Sequence, residues 1–434
     1  MNTRLLLGSR QIARSLRIPL PRPSTAALLW VSAAVLSVGS AAPGAVAQSP
    51  VLAARAQVDS RGLPARNVAA SANPKSAAPQ NRSEIQAESE SGWRITDEVR
   101  ERVDRGLQWL AARQQPDGSW LGDVGFKLNN SYHVVPEGDN RAHVGVTAIA
   151  GIAFLANGQI PGRGKYGAVV DKALAFVSSC VEENGFISSN QTRMYSHAFG
   201  TLFLAEALGM SHRPDLREKL QDAVRLIVDS QNSEGGWRYV PFAKESDMSI
   251  TVCQVMALRA ARNVGIPVPK ATIDRAIDYV KKSAVRENGP RNGWGYDDEV
   301  GAFRYQVQTF SRSTFPLTAA GVVSLNGAGV YSDRDIDLGL DYLDRNLRGF
   351  SSDYGGRMGH YFFYYGHYYA VQAMFVAQGP RGQRYWEHIK QQLIGMQEPD
   401  GSWPNHVGPG PNFATAVATL ILQIPYRFLP IFQR

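Results

Sequence analysis

One short pattern recurs three times at identical spacing, and it constrains the fold of this chain more than any other feature. A glutamine is followed four residues later by a glycine, and a tryptophan comes two residues after that. The copies are Gln114-Gly118-Trp120, Gln231-Gly235-Trp237 and Gln397-Gly401-Trp403. The glycine permits a positive φ that ends a helix, the glutamine amide caps loose backbone groups, and the indole packs one unit against the next. These nine residues are therefore predicted to be structural.

Weaker copies extend the pattern into a repeat. Cys180, Asn184 and Phe186 occupy the same three slots, and further copies end at Trp294 and near Tyr354. Copies are about 50 to 65 residues apart, which is room for two helices and two loops. In each unit the second helix is rich in small residues, which favours close packing in an inner layer. These inner helices are predicted at 144–156, 197–208, 247–260, 314–325, 367–377 and 414–424. Six helical hairpins form a toroid or an open solenoid.

The segment before the repeats has two parts of different character. Five arginines, with no acidic residue among them, precede an apolar run at 26–38, and Ala45-Val46-Ala47 follows. We expect residues 1–47 to be a cleaved signal peptide and the protein to be exported, either periplasmic or extracellular; an uncleaved anchor and a mitochondrial presequence are the alternatives. Residues 48–93, rich in Ala, Ser and Pro, are predicted to be a disordered linker. No later stretch is long and apolar enough to span a membrane.

The net charge and the cysteine count exclude two classes of protein. Without the leader, the formal charge falls from +8 to +3, since 41 basic residues then stand against 38 acidic ones. Nucleic acid is therefore not an expected partner. Only Cys180 and Cys253 occur, too few for a disulfide framework. Two buried free thiols are expected, and a single bridge is the alternative.

The segments RGLQWLAARQQPDGSW, DAVRLIVDSQNSEGGW and HIKQQLIGMQEPDGSW resemble the prenyltransferase and squalene-oxidase repeat, the "QW" motif of squalene cyclases. The resemblance covers roughly residues 94–434. It implies an all-α fold, an (α/α)6 toroid with one central cavity, and is closest to the exported single-toroid bacterial proteins of this superfamily. Fold carries over better than function in such scaffolds. A ligand or partner bound at the central cavity is the expected function, and whether the protein is an enzyme stays open.

Three residues are candidates for catalysis. His197 and His367 each lie 12 residues before a C-terminal glycine of their inner helix. Asp247 lies 11 residues before Leu258, as His197 does before Leu208, so the three fall at corresponding N-terminal positions. Helix N-termini carry partial positive charge, so this mouth of the ring favours anions. The protein prenyltransferase β subunits bind zinc through an Asp-x-Cys pair and a later His. Asp247 and His367 match that set, but Ser249 stands in the thiolate position and a hydroxyl is a poor zinc ligand. No cofactor is therefore predicted, zinc is the alternative, and Asp247 is alternatively a helix N-cap.

Two enzymatic alternatives remain open beside ligand binding. Terpenoid cyclisation needs a strong acid, and the Asp-x-Asp-Asp cluster that the resemblance implies is absent from the inner helices. A polysaccharide lyase or hydrolase needs a Tyr or His base, arginines and aromatic rings that stack on sugars. The ligand is accordingly apolar and isoprenoid, or a carbohydrate. The candidate cavity residues are Tyr195, Arg238, Tyr239, Arg304, Tyr305 and Tyr364.

Overall fold

A computed structural model of the protein describes residues 92–128, 131–289, 299–308, 311–350 and 359–433. The predicted signal peptide, almost all of the predicted linker, and the weak repeat copies at Trp294 and Tyr354 lie outside these residues. The described part forms twelve α-helices: α1 (Asp97–Arg113), α2 (Val144–Ala156), α3 (Gly167–Ser179), α4 (Met194–Leu208), α5 (Leu216–Asp229), α6 (Met248–Asn263), α7 (Lys270–Ser283), α8 (Phe315–Gly327), α9 (Arg334–Asn346), α10 (Tyr361–Ala377), α11 (Gly379–Met396) and α12 (Pro411–Gln423).

The odd-numbered and even-numbered helices have different faces, as the composition of the repeats predicts. Helix α1 begins at the expected cap, where the Thr96 hydroxyl accepts the Val99 N–H at 3.2 Å. It buries Val103, Leu107 and Leu110 at helical spacing and leaves its charged residues outside. In α2, by contrast, every residue is buried. The odd helices form an outer layer, and the even helices form an inner layer covered on most sides.

The inner helices close into a ring. Helix α2 contacts α4, each inner helix contacts the next along the chain, and α12 packs back against α2. Short 3-10 turns at Ile424–Tyr426 and Pro430–Phe432 follow α12. Closure distinguishes the toroid from the open solenoid and confirms the predicted (α/α)6 architecture.

The Gln-Gly-Trp pattern ties each hairpin to its neighbour. The Gln231 amide donates to the Gly235 carbonyl at 2.8 Å and to the Thr272 carbonyl of α7 at 2.9 Å. The Trp237 indole N–H donates to the Ile227 carbonyl at 2.7 Å. The other two full copies have the same contacts, with Gln114 bound to Val169 and Gln397 bound to Arg102. One amide thus joins its own turn to the next outer helix.

Two weaker copies occupy these slots with a different register from the predicted one. In the second hairpin Gly185, not Asn184, has the positive φ of 86°, and Ile187 is the buried plug instead of Phe186. In the fourth, Gly301 has a φ of 92° and Phe303 is buried. The prediction was wrong by one residue at the second copy because, without glutamine and tryptophan, only the glycine marks the turn.

The start of the fifth inner helix also differs from the prediction. Helix α10 begins at Tyr361, six residues before His367, where the sequence suggested a loop ending at Gly366. The His360 ring caps the helix by accepting the Phe362 N–H at 3.1 Å. Gly366 is needed for close packing and not for a turn, since an added Cβ would lie 2.8 Å from the Phe350 ring.

Both cysteines are free, as expected, although only Cys253 is buried and Cys180 is half-buried. Burial raises the pKa of the Cys180 thiol to about 11 and that of Cys253 to about 12. Both therefore stay protonated and unreactive at neutral pH.

Four short strands, which the helical pattern does not predict, lie between α1 and α2. Strands β1 (Leu121–Gly122) and β4 (Arg141–Ala142) pair antiparallel, as do β2 (Gly125–Leu128) and β3 (Ser131–Val134). The β2–β3 pair places Phe126 opposite His133 and Lys127 opposite Tyr132. This insertion lies at the end of the ring where α2 begins.

Replacing Gly118 by alanine tests the repeat turn. Its φ is 91°, and an added Cβ would lie 2.2 Å from the Lys172 carbonyl oxygen. We expect Gly118→Ala to lower the free energy of unfolding by about 3 kcal/mol or more, through backbone strain and the clash. Chemical denaturation measures this loss. The matched control is Gly209→Ala, where φ is −73° and no atom lies within 4 Å of the added Cβ. Equal stability of the two variants would contradict the role of the turn.

Candidate functional site

A cavity of about 370 Å³ opens at the end of the ring where the inner helices begin. All six inner helices contribute side chains from their first turns, so the cavity is the common N-terminal mouth that the sequence predicts. Its wall is largely aromatic. One lining residue from each inner helix in chain order is Gly145, Tyr195, Ser249, Phe315, Tyr361 and Phe413.

The β2–β3 pair covers part of this mouth. Phe126, Lys127 and Tyr132 line the cavity from the strand side. The Lys127 ammonium lies 4.3 Å from the centre of the Phe362 ring, and the Tyr132 ring packs edge-on against Tyr361 at 5.8 Å. The strands therefore dock on the first turn of α10 through aromatic contacts and a cation–π contact.

The charged residues at the mouth are all basic. Lys127, Arg193 and Arg312 line the cavity, and no Asp or Glu is among the described lining residues. Burial and the nearby Arg312 guanidinium lower the pKa of Lys127 to about 8. Arg312 lies over the Tyr305 ring at 4.4 Å, and Arg193 lies over Phe126 at 5.5 Å. Within the described ranges none of the three forms a salt bridge, so the mouth carries uncompensated positive charge.

Beside Arg312 lies a cluster of hydroxyls that we call the polar corner: Tyr195, Tyr239, Ser249, Tyr305 and Tyr365. The Tyr195 hydroxyl donates to Ser249 Oγ at 2.8 Å, and the Tyr365 hydroxyl donates to the Ser249 carbonyl at 3.1 Å. The Tyr239 and Tyr305 hydroxyls share one hydrogen bond of 2.6 Å. Three inner helices and two loops thus converge on one polar patch in an otherwise apolar wall.

Asp247 lies behind the polar corner and does not itself line the cavity. It is the N-cap of α6, as the alternative interpretation of the sequence has it, and its Oδ1 accepts the Ile250 N–H at 3.0 Å. The same oxygen accepts the Ser249 hydroxyl at 2.5 Å. Burial raises the pKa of Asp247 to about 6, although Ser249, the Ile250 N–H and the nearby Arg238 and Tyr305 oppose the rise. Among the described residues no donor is hydrogen-bonded to Oδ2.

His197 is fully buried, and it is not among the residues that line the cavity. It is the fourth residue of α4, and its Nδ1 accepts the Ile187 N–H at 3.0 Å. Thr147, Thr251 and Thr318 are the fourth residues of α2, α6 and α8 and accept the corresponding junction N–H groups through their hydroxyls. His197 therefore replaces a threonine that holds the hairpin junction, and burial lowers its pKa to about 3.

His367 is also buried away from the cavity. Its Nδ1 lies 2.8 Å from the Tyr385 hydroxyl of α11, and its ring packs against Phe315, Phe350 and Phe363. Burial lowers its pKa to about 3, with a contribution from His388. The neutral His367 ring therefore links α10 to α11 of the outer layer. Because α10 begins six residues earlier than predicted, His367 lies in its second turn and not at its N-terminal end.

Three of the six predicted cavity residues line the cavity, and three do not. Tyr195, Tyr239 and Tyr305 line the cavity as expected, and Arg238, Arg304 and Tyr364 are absent from its lining. Arg238 pairs with Glu245 at 2.9 Å, and the buried Tyr364 hydroxyl donates to the Pro404 carbonyl at 2.7 Å.

The proposed set of His197, Asp247 and His367 does not form a metal site. The part of the chain that the structure describes has no group of three or more His, Cys, Asp or Glu side chains placed to hold a metal ion. It also has no helix long and apolar enough to cross a membrane.

The cations of the mouth were missed by sequence reasoning. Lys127 and Arg312 lie in connections, where basic residues are common, and no local pattern marks them as inward-facing. Arg193 had a signal, because it directly precedes α4 and is two residues before Tyr195, which was predicted to face the cavity. Ser249 was noticed only as the wrong residue for zinc.

Comparisons with known proteins support the fold. No family model matches the sequence. Over 129 residues the chain is 30% identical to a drimenyl diphosphate synthase of Streptantibioticus cattleyicolor, a match that spans 29% of this chain and 23% of that protein. The type II terpene cyclase MstE from Scytonema superposes with a TM-score of 0.51 at 13% identity, covering 77% of this chain and 99% of MstE. The GH76A α-1,6-mannanase of Salegentibacter sp. HEL1_6 gives 0.51 at 9% identity, covering 76% and 100%. The chain therefore has the terpenoid cyclase-like α/α toroid fold.

Replacing His367 by alanine separates structure from function at this position. We expect His367→Ala to lower the free energy of unfolding by about 3 kcal/mol, because it opens a void and weakens the hydrogen bonding of Tyr385. Ligand affinity of the folded protein should stay within about twofold. His212→Ala, at an exposed position, should change stability by less than about 0.5 kcal/mol. Loss of binding with unchanged stability would instead place His367 in the site.

The pH dependence of stability tests the environment of Asp247. Its pKa is raised from 3.8 to about 6 in the folded state, so folding favours the protonated form. The stabilising contribution of that form is complete below pH 3.8 and is lost as the pH rises through about 6. Relative to Asp247→Asn, the wild type should lose about 3 kcal/mol between these limits.

Denaturation series at several pH values measure this difference. Asp337→Asn, on the exposed side of α9, is the control and should follow the wild-type profile. Parallel profiles for the wild type and Asp247→Asn would contradict the raised pKa.

Proposed function

We propose that the protein binds a small, mostly apolar ligand of the isoprenoid class, carrying an anionic group, in the cavity of its toroid. The observation that carries the proposal is an aromatic cavity whose mouth has three unpaired cations and no acidic lining residue in the described chain. The apolar wall suits the body of the ligand, and the cations with the helix N-termini suit its charge.

The size of the cavity favours a compact ligand. Its volume of about 370 Å³ is near the lower end of the range of about 300–1,000 Å³ for small-molecule sites. A variant of MstE has been solved with geranylgeranyl dihydroxybenzoate, an apolar chain joined to a benzoate, at a TM-score of 0.50. A smaller ligand that joins an apolar chain to an anionic group would place its chain against the aromatic wall and its charge beside Lys127, Arg193 and Arg312.

A carbohydrate-active function has less support. A variant of the Salegentibacter mannanase was solved with α-1,6-mannotriose. Glycoside hydrolysis generally uses two carboxyl groups beside the scissile bond, and none lines the described cavity here. The surface of its wall is mostly apolar and aromatic, which suits a hydrocarbon better than a sugar.

Cyclisation is the second candidate, and Asp247 is the observation that favours it. It lies behind Ser249, and its Oδ2 has no hydrogen-bonded donor in the described chain, although the Tyr305 hydroxyl lies nearby. Protonating an alkene needs a strong acid, however, and burial makes this carboxyl a weaker one. We therefore place binding before catalysis.

We also propose that the protein acts after export. Residues 1–47 carry the arginines, apolar run and small-residue site of a signal peptide. Mass spectrometry of protein secreted by an expressing bacterium should find an N-terminus near Gln48, and an intact Met1 would overturn this proposal.

Binding of farnesoic acid and of its uncharged methyl ester tests the function. We expect Lys127→Gln and Arg312→Gln each to weaken the acid about tenfold, because a charged hydrogen bond is lost, and to change the ester less than twofold. Titration calorimetry measures both affinities. Lys282→Gln, an exposed change on α7, is the control and should alter neither. Failure of both compounds to bind, or tighter binding of α-1,6-mannotriose, would contradict the proposal.

A further inference from the structure

The hydrogen-bond directions in the polar corner point to a specific ligand group. Five hydroxyls line the cavity there, and four of their five protons are committed inside the protein. Tyr195 donates to Ser249 at 2.8 Å, Ser249 donates to Asp247 at 2.5 Å, and Tyr365 donates to the Ser249 carbonyl at 3.1 Å. The fourth proton joins Tyr239 to Tyr305 at 2.6 Å.

The buried carboxyl of Asp247 sets these directions. Its Oδ1 accepts two hydrogen bonds and has no proton to give when ionised, so Ser249 must act as the donor. Ser249 Oγ can then only accept from Tyr195. In the second pair, the Tyr305 hydroxyl lies beside the same carboxyl, whose Oδ2 has no hydrogen-bond donor among the described residues. Electrostatics orients the remaining proton toward that oxygen, so Tyr239 donates to Tyr305.

The hydroxyl oxygens that face the cavity can consequently only accept a hydrogen bond from a ligand, because their own protons are already donated inside the protein. Tyr195 and Tyr239 each retain a lone pair, and their protons are directed away from any ligand in the cavity. A ligand carbonyl or ether oxygen placed here would meet lone pairs and leave buried acceptors unpaired. A ligand that supplies a proton satisfies them.

The charge around the corner selects among proton donors. Arg312 lies over the Tyr305 ring at 4.4 Å, and Arg238, which is paired with Glu245, lies over Tyr239 at 5.6 Å. The Arg312 guanidinium repels an ammonium but not a neutral hydroxyl. We propose that Tyr195 and Tyr239 form a subsite that accepts a hydrogen bond from an alcohol or phenol hydroxyl on the ligand. This inference rests on the proposed function and adds the chemical class of the ligand.

Three compounds with one hydrocarbon chain test the subsite: farnesol, farnesyl methyl ether and farnesylamine. We expect farnesol to bind about 5- to 10-fold more tightly than the ether, as one net hydrogen bond provides, and more tightly than the amine. In the double variant Tyr195→Phe/Tyr239→Phe, which keeps both rings, farnesol should bind no better than the ether. The control Tyr426→Phe, in the 3-10 turn Ile424–Tyr426 outside the cavity, should retain the preference.

The outcomes separate the two proposals. If the ether binds to the wild type as tightly as farnesol, the cavity proposal stands and the hydroxyl subsite is wrong. If farnesylamine binds most tightly, the subsite accepts a cation and the inference is overturned. If none of the three compounds binds to correctly folded protein but farnesoic acid does, the subsite is wrong and the proposed function stands; if farnesoic acid also fails to bind, both fail. Circular dichroism on each variant establishes that it is folded.

Discussion

One backbone hydrogen bond, which recurs at five hairpin junctions of the described chain, governs the geometry of this toroid. The N–H of the buried plug residue donates to a side chain in the first turn of the following inner helix, as Trp120 does to Thr147 at 2.9 Å. The same contact recurs between Trp237 and Thr251 and between Trp403 and Thr415. Because this bond fixes where five of the inner helices begin, it also fixes most of the mouth of the ring. The His360 cap sets the start of the remaining inner helix, α10.

The scaffold could be predicted because its parts are local and repeated. Gln231, Gly235 and Trp237 act within a few residues of one another and on the adjacent helix, so their spacing carries the information. The six predicted hairpins followed from that spacing, whereas the closed ring was implied by the resemblance to the squalene cyclase repeat. In the second hairpin Val181 and Ile187 stand in the slots of the glutamine and the tryptophan, so Gly185 was the remaining signal and the register was misplaced by one residue. Gly366 suggested a turn where the helix in fact continues, because a glycine can be required for close packing as well as for a turn.

The site was only partly predictable, for a different physical reason. Tyr195, Tyr239 and Tyr305 were identified because they stand at or just before the inner helices, and the structure brings them together. His197 and His367 occupy similar positions in sequence, yet both face neighbouring elements and bond to Ile187 and Tyr385. Around a helix, one residue of offset rotates the direction of a side chain by about 100°. The predicted start of α10 differs from the observed start by six residues, so the direction of its side chains could not be predicted. The strand insertion that brings Lys127 over the mouth has no counterpart in the repeats.

Ser249 shows how one substitution can redirect such a site. The resemblance to protein prenyltransferases places a zinc-binding thiolate at this position, and a hydroxyl neither ionises at neutral pH nor binds zinc well. It can, however, both donate to Asp247 and accept from Tyr195, which neither a thiolate nor a carboxylate can do. The buried Asp247 carboxylate therefore fixes the direction of the hydrogen bonds that run from the cavity wall through Tyr195 and Ser249. At the position where the resemblance implies a metal ligand, this chain has a hydroxyl that orients Tyr195 for the subsite that we propose.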